Sequence, residues 1–252
     1  MYQRFRANNV SMTQVQPTWM GPLIESDGRL GQAMRFSVSN AMFPGAHSLN
    51  YGNGHGISMI VQRRFQIDLD PPAFFRNHSS LYKDGFGNAG AQVKYRIASG
   101  NAEHGNFAVS AVLYHAFAPR VYQNQMLTSF YCPSIAAGKA FGRFALLGQV
   151  GGLLPTGKIA QQGRSVELNT TAQVHAGAHA WFDIENNADF FHDGPFDSKM
   201  QNFMTPEAFY MIRRKQWKPE HASVVFAGGM QIATSSTHEY NHNLITEMRL
   251  VF

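Results

Sequence analysis

The stretch Ser-Val-Glu-Leu-Asn-Thr-Thr-Ala-Gln-Val-His-Ala at residues 165–176 decides how this chain reads. Successive side chains of a β-strand point to opposite faces. Extended, the stretch puts Val166, Leu168, Thr170, Ala172, Val174 and Ala176 on one side and Glu167, Asn169, Thr171, Gln173 and His175 on the other. One face suits hydrocarbon, the other water. The pattern recurs along most of the chain. Over residues 57–69 an apolar row from Ile57 to Leu69 opposes Ser58, Gln62, Arg64, Gln66 and Asp68, with Arg63 interrupting the apolar face and Ile60 the polar one. Over residues 89–98, Gln92, Lys94 and Arg96 alternate with Val93, Tyr95 and Ile97.

Residues 222–234, 107–117 and 144–154 also read as strands, as do the weaker 34–40, 181–186 and 202–212. Pro206, in the last of these, should lie near a strand end because it cannot donate to a ladder. With residues 241–252 the series predicts about ten strands, twelve being the nearest alternative, since membrane barrels favour even numbers. Between them, residues 44–56, 71–88 and 187–198 are rich in Gly, Asn, Pro and Asp and read as loops. Residues 1–31 show no period and read as a periplasmic arm or an inward-folded plug preceding a single barrel domain at 32–252.

Composition narrows the class. Charged residues are 15% of the 252, below the about 25% of soluble domains, yet mean hydropathy is only −0.25. No window approaches the roughly 18 consecutive apolar residues of a spanning helix, so a membrane-spanning form would use strands. The net charge of +5 is carried by scattered Lys and Arg, with short runs such as Arg213-Arg214-Lys215, which suits lipopolysaccharide or a pore lining rather than nucleic acid. Residues 1–29 contain Arg4 and Arg6 but no apolar core with a cleavage site, so no export signal is readable there. Cys132 stands alone and reads as a small packing residue.

The last strand sets Leu244, Thr246, Met248, Leu250 and Phe252 on one face, with Glu247 and Arg249 on the other. A final strand ending on Phe252 resembles the assembly signal of outer-membrane proteins, which implies that Met248, Leu250 and Phe252 are read by the outer-membrane assembly machinery. Gly85-Phe86-Gly87-Asn88 followed by Val93-Lys94-Tyr95-Arg96 resembles a Gly-x-Gly-Asp then Lys-Tyr-Arg pattern of the MetA-pathway phenol-degradation family. The run from Gly151 to Lys158, with Leu154-Pro155-Thr156-Gly157, is similar to that family's strand ending in Leu-Pro-Thr-Gly. Asn88 stands where the family has Asp. The resemblance implies an outer-membrane protein and a channel for hydrophobic or aromatic compounds, with no catalytic residues to carry over.

Other chemistry finds little support in spacing. Pro155-Thr156-Gly157-Lys158 lacks the leading Gly and the Lys-Ser/Thr ending of a phosphate loop. His238 with His242, and His175 with His179, share faces if extended but lack further metal ligands. Ser110 with His115, and Ser223 with His221, are the pairs a barrel-wall lipid hydrolase would need, a minority reading. No metal or cofactor is expected. The candidate lumen-facing residues are Arg64, Lys94, Arg96, Glu167, Gln173, Glu247 and Arg249, which would wet the interior or select solutes by charge. Phe65, Tyr95, Phe107, Phe117, Phe144, Trp181, Phe226 and Phe252 are expected in outward aromatic girdles. The expectation is an all-β, antiparallel up-and-down transmembrane barrel in the bacterial outer membrane. It would contact lipid and lipopolysaccharide and pass a small solute, with a purely structural barrel as the alternative.

Overall fold

The computed structural model describes residues 11–12, 14–52, 56–78, 83–118, 127–212 and 223–252. The basic run Arg213-Arg214-Lys215, His221 and the first ten residues of the N-terminal segment lie outside the described residues.

The strand segments are β1 Ala33–Phe43, β2 Ala46–Tyr51, β3 Ile57–Gln62, β4 Phe65–Asp70, β5 Phe74–His78, β6 Gly85–Phe86, β7 Ala89–Gly100, β8 Phe107–Phe117, β9 Phe130–Phe141, β10 Phe144–Pro155, β11 Arg164–Ala176, β12 Ala180–His192, β13 Met200–Ile212, β14 Ser223–Ala233 and β15 His242–Val251. Six of them join end to end. β1 pairs with both β2 and β3, β5 pairs with β2 and β6, and β4 pairs with β3 and β7, so these six make three interrupted staves. Pro71 and Pro72, which have no N–H to give a ladder, separate β4 from β5, and Gly52 at φ 88° follows β2. The ring therefore has twelve antiparallel staves, and it closes where β1 meets β15 from Ala33↔Val251 to Met42↔His242.

The count exceeds ten for identifiable reasons. Residues 57–69 are a hairpin, β3 and β4, turning at Arg63-Arg64; after a two-residue turn the alternation resumes in the same phase, so two strands look like one with defects. β9 carries Ala136, Gly138 and Ala140 on its inward face, and such small residues erase the polar half of the pattern. The stretches 44–56, 71–88 and 187–198 are not all loop: they hold β2, β5, β6 and the end of β12. Pro206 sits inside β13, not at its end; it faces outward opposite Ile184 of β12, and the β14 ladder has no partners for Thr205 and Pro206, which removes the need for its N–H.

Burial is inverted relative to a soluble sandwich. Gln66, Lys94, Thr171, Gln173, Asp183, Glu185, Glu207 and Arg249 are buried, whereas Phe36, Leu69, Leu146, Leu168, Ile184 and Phe226 are exposed. An apolar exterior of that extent around a polar interior is a bilayer-facing surface. Tyr95, Phe117, Phe144, Phe226 and Phe252 lie on it, and Phe65 and Phe107 are half-buried. Trp181 does not: it shares the phase of Asp183 and Glu185 and is 3% exposed, inside the barrel. The end of the barrel where β1 begins and β15 finishes carries the connections 63–64, 101–106, 142–143, 177–179 and 213–222, and the opposite end 44–45, 79–84, 118–129, 156–163, 193–199 and 234–241, the longer set on average. Short periplasmic turns and longer outer loops are the usual polarity of such barrels.

Candidate functional site: the plugged lumen

Residues 14–32 lie inside the barrel. An irregular chain there would strand its backbone groups, and the wall supplies the missing partners from side chains. Gln173 acts as a false ladder, accepting from the Met20 N–H at 2.7 Å and donating Nε2 to the Met20 carbonyl at 2.9 Å. Glu185 accepts from the N–H groups of Ile24 and Glu25, both at 3.0 Å, and Glu207 from Leu23 at 3.2 Å. Gln149 and Gln66 accept from Ser26 and Gly31. In return Lys94 Nζ donates to the carbonyls of Asp27 and Arg29, Ser110 Oγ to that of Gly28 at 2.6 Å, and Arg249 to those of Gly21 and Pro22.

Within the segment, Gln16 exchanges two hydrogen bonds with Leu30, tying the ends into a loop. Shape matters as much as polarity. Trp19 seats where Gly138 has no side chain, a Cβ there falling 2.8 Å from the indole. Gly28 passes so close to β8 and β9 that a Cβ would stand 2.7 Å from the Ala108 carbonyl oxygen. Met20 and Leu23 pack with Trp181, Phe209, Val225 and Ile245 in a small apolar cluster inside the polar lumen.

Two plug carboxyls titrate unusually. Burial, followed by the neighbouring Glu185 carboxylate, pushes Glu25 up to about 8, although Thr171 donates to it at 2.7 Å. Burial would also raise Asp27, but Arg29 and Lys94 outweigh it and hold Asp27 at about 2.

Of the seven candidate lumen residues, Lys94, Arg96, Gln173, Glu247 and Arg249 are buried in the interior and Glu167 lines its cavity. Arg64 is not with them: it sits exposed in the β3–β4 turn, where the residue after Arg63 has left the wall. Arg96 reaches Gln16, Met12 Sδ and the Arg63 carbonyl, and Arg249 pairs with Glu247 and lies 5.1 Å over the Phe209 ring. These charges fasten the plug. Periodicity missed Glu185, Glu207 and Ser110, the first because residues 181–186 were too short to fix a phase. Cys132 also faces the lumen cavity.

The other pairs whose members are both described do not assemble. Ser110 is inward and wholly buried, while His115 lies on the opposite face of β8, stacked 4.2 Å from Tyr131. His175 stacks on Trp181 at 4.4 Å, and His238 bonds loop atoms of Ser235 and Asn241. Among the described residues no three His, Cys, Asp or Glu side chains converge on a metal position. A cavity of about 690 Å³ runs along the plug from Trp181 and Met211 near the turn end to the loop end, where Asp68, Asp70, Tyr114, Glu167, Asp189 and Tyr240 line it together with amide side chains.

No family model and no curated protein sequence matches the chain. Solved structures do. The NanC porin aligns with a TM-score of 0.57 at 8% identity, covering 88% of this chain and 98% of its own. An outer-membrane channel from Pseudomonas putida F1 aligns with a TM-score of 0.54 at 11% identity, covering 93% and 100%. The fold is that of an outer-membrane β-barrel. At such identities the likeness is one of architecture, and what the lumen does must be read from its own residues.

Proposed function

We propose that this barrel resides in the bacterial outer membrane and is a passive channel for a small solute, closed in the described state by residues 14–32. The observation that carries the reading is the plug itself. A barrel needed only as a structural element is most simply filled by wall side chains, whereas this lumen is wide enough to take a separate segment held by side-chain to main-chain bonds, with a cavity left along it. The acidic and amide side chains at the loop end of the cavity favour a polar solute over the hydrophobic one that the resemblance to the MetA-pathway phenol-degradation family would imply. The same reading assigns lipid and lipopolysaccharide to the apolar exterior, and recognition by the assembly machinery to the outward row Met248, Leu250 and Phe252.

Planar-bilayer recording tests it. The full chain should insert with little conductance, and a chain lacking residues 11–31 should conduct steadily, with heat-modifiable gel mobility confirming a folded barrel in both. A well-inserted, folded deletion that passes no current would instead leave a structural barrel.

A further inference from the structure

The loop end of the cavity has a one-sided chemistry. Asp68 and Asp70 enter it from β4, Glu167 and Asp189 from β11 and β12. Going round the ring, β7, β8, β9 and β10 separate β4 from β11, and β13, β14, β15, β1 and the β2–β3 stave separate β12 from β4, so the two acidic pairs occupy opposite walls. Glu167 and Asp189 are direct cross-strand partners, an arrangement of like charges that destabilises a sheet unless something cationic lies between them.

Among the described residues no protein cation does so. The basic residues lining the cavity among the described residues are Arg29, Arg35, Lys94 and Arg249. Arg29 pairs with Asp27, Arg35 with Glu247 and the Pro22 carbonyl, Lys94 with plug carbonyls, and Arg249 with Glu247 and plug carbonyls. Arg35 is near enough to influence Asp70 but forms no ion pair with it. The donors that reach the acidic groups are neutral amides: Gln66 and Gln92 on Asp68, Gln201 on Asp189.

A second observation points the same way. Asn187, 8% exposed and lining the same cavity, gives its amide nitrogen to Asn169 but leaves its carbonyl oxygen without a donor. Buried polar atoms are normally satisfied, so an acceptor without a donor one rung from the Glu167–Asp189 pair marks a place that a donor cation fits. An ammonium carries three donors and no acceptor, and Tyr114, Phe203 and Tyr240 add aromatic faces that attract organic cations.

We propose that the vestibule between the plug and the outer loops binds a small organic cation, a primary amine or diamine, as the solute this channel handles. The proposal rests on the channel reading for its role but not for its test. The carboxylates do not converge as metal ligands do, which favours an extended cation bridging the walls over a coordinated ion.

Calorimetric titration of the folded, detergent-solubilised full chain with 1,5-diaminopentane should show saturable binding that weakens as salt is raised, while 1,5-pentanediol and glutarate should show none. Glu167→Gln with Asp189→Asn should weaken diamine binding about tenfold or more, and Glu167→Asp should retain it. All variants should keep the heat-modifiable mobility of the wild type. Diamine binding no stronger than diol binding, or unaffected by the paired substitution in a folded barrel, would overturn the site. Binding without conductance in plug-deleted protein would remove the channel reading and leave the site standing; conductance without diamine binding would do the reverse.

Discussion

At the scale of single residues, the plug is held by wall side chains that imitate backbone. Gln173 supplies both halves of a ladder to Met20 and a third bond to Asp183, so Gln173→Ala strands a buried N–H and a buried carbonyl. Such a loss costs about 1–3 kcal/mol, and exchange of the Met20 amide hydrogen should accelerate roughly tenfold for each 1.4 kcal/mol lost. Gln173→Glu keeps the acceptor but sets a carboxyl oxygen against the Met20 carbonyl and Asp183, and should accelerate exchange at least as much as Gln173→Ala. Gly28 tests shape instead of polarity. The carbonyl oxygens of Ala108 and Ala136, at 2.7 and 3.0 Å from an added Cβ, belong to the wall backbone and cannot swing away. Gly28→Val should therefore unseat the plug, raising bilayer conductance toward that of the deletion while the barrel stays folded. Conductance equal to wild type in this variant would mean that the segment does not close the pore.

At the scale of the element, the plug carries its own pH response. A carboxyl raised in the folded state contributes stability that is complete below its ordinary value of 4.5 and is lost as pH climbs through about 8. The groups facing Glu25 are Glu185 and Asp183 on β12, Asp27 in the plug and the Thr171 hydroxyl on β11, so ionisation adds a charge among like charges. Conductance of the full chain should rise progressively between about pH 4.5 and pH 8, and Glu25→Gln should flatten the rise; a flat wild-type profile over that window would count against the seating described for Glu25. On the acid side Asp27 stays ionised down to about 2, so its contacts with Arg29 and Lys94 should persist well below pH 4.

This element was only half legible in the sequence. Residues 11–32 have no period because most of their partners are distant wall residues, and no local pattern encodes that Gln173 faces Met20. The strands were legible where both faces are written in contrasting chemistry, as in β11 and β15. They were obscured where small residues make room for the plug, as at Ala136 and Gly138, or where a two-residue turn preserves the phase, as at Arg63-Arg64.

At the scale of the whole molecule, the arrangement is an inside-out protein whose interior is a charge network and whose surface is hydrocarbon. Lys94 and Arg249 can be buried because each meets carbonyls or carboxylates on the plug or wall, and Leu146 at 59% exposure needs no such partner in lipid. The sequence made this inversion visible through composition and alternation together, yet alternation alone could not say which face was inside. Trp181 shows the difficulty: an aromatic at the start of a strand looks like a girdle residue until the phase of Asp183 and Glu185 is known.

The most direct measurement uses the tryptophans. With Trp217, outside the described residues, replaced by Phe, the chain keeps only Trp19 in the plug and Trp181 on the inner wall, 5% and 3% exposed. Reconstituted in bilayers with brominated acyl chains, this variant should keep its fluorescence, whereas adding Leu146→Trp or Leu168→Trp on the outer face should introduce a strongly quenched component. Quenching of Trp19 and Trp181 to the same degree as the Leu146→Trp probe would contradict a lipid-facing barrel with its N-terminal segment inside.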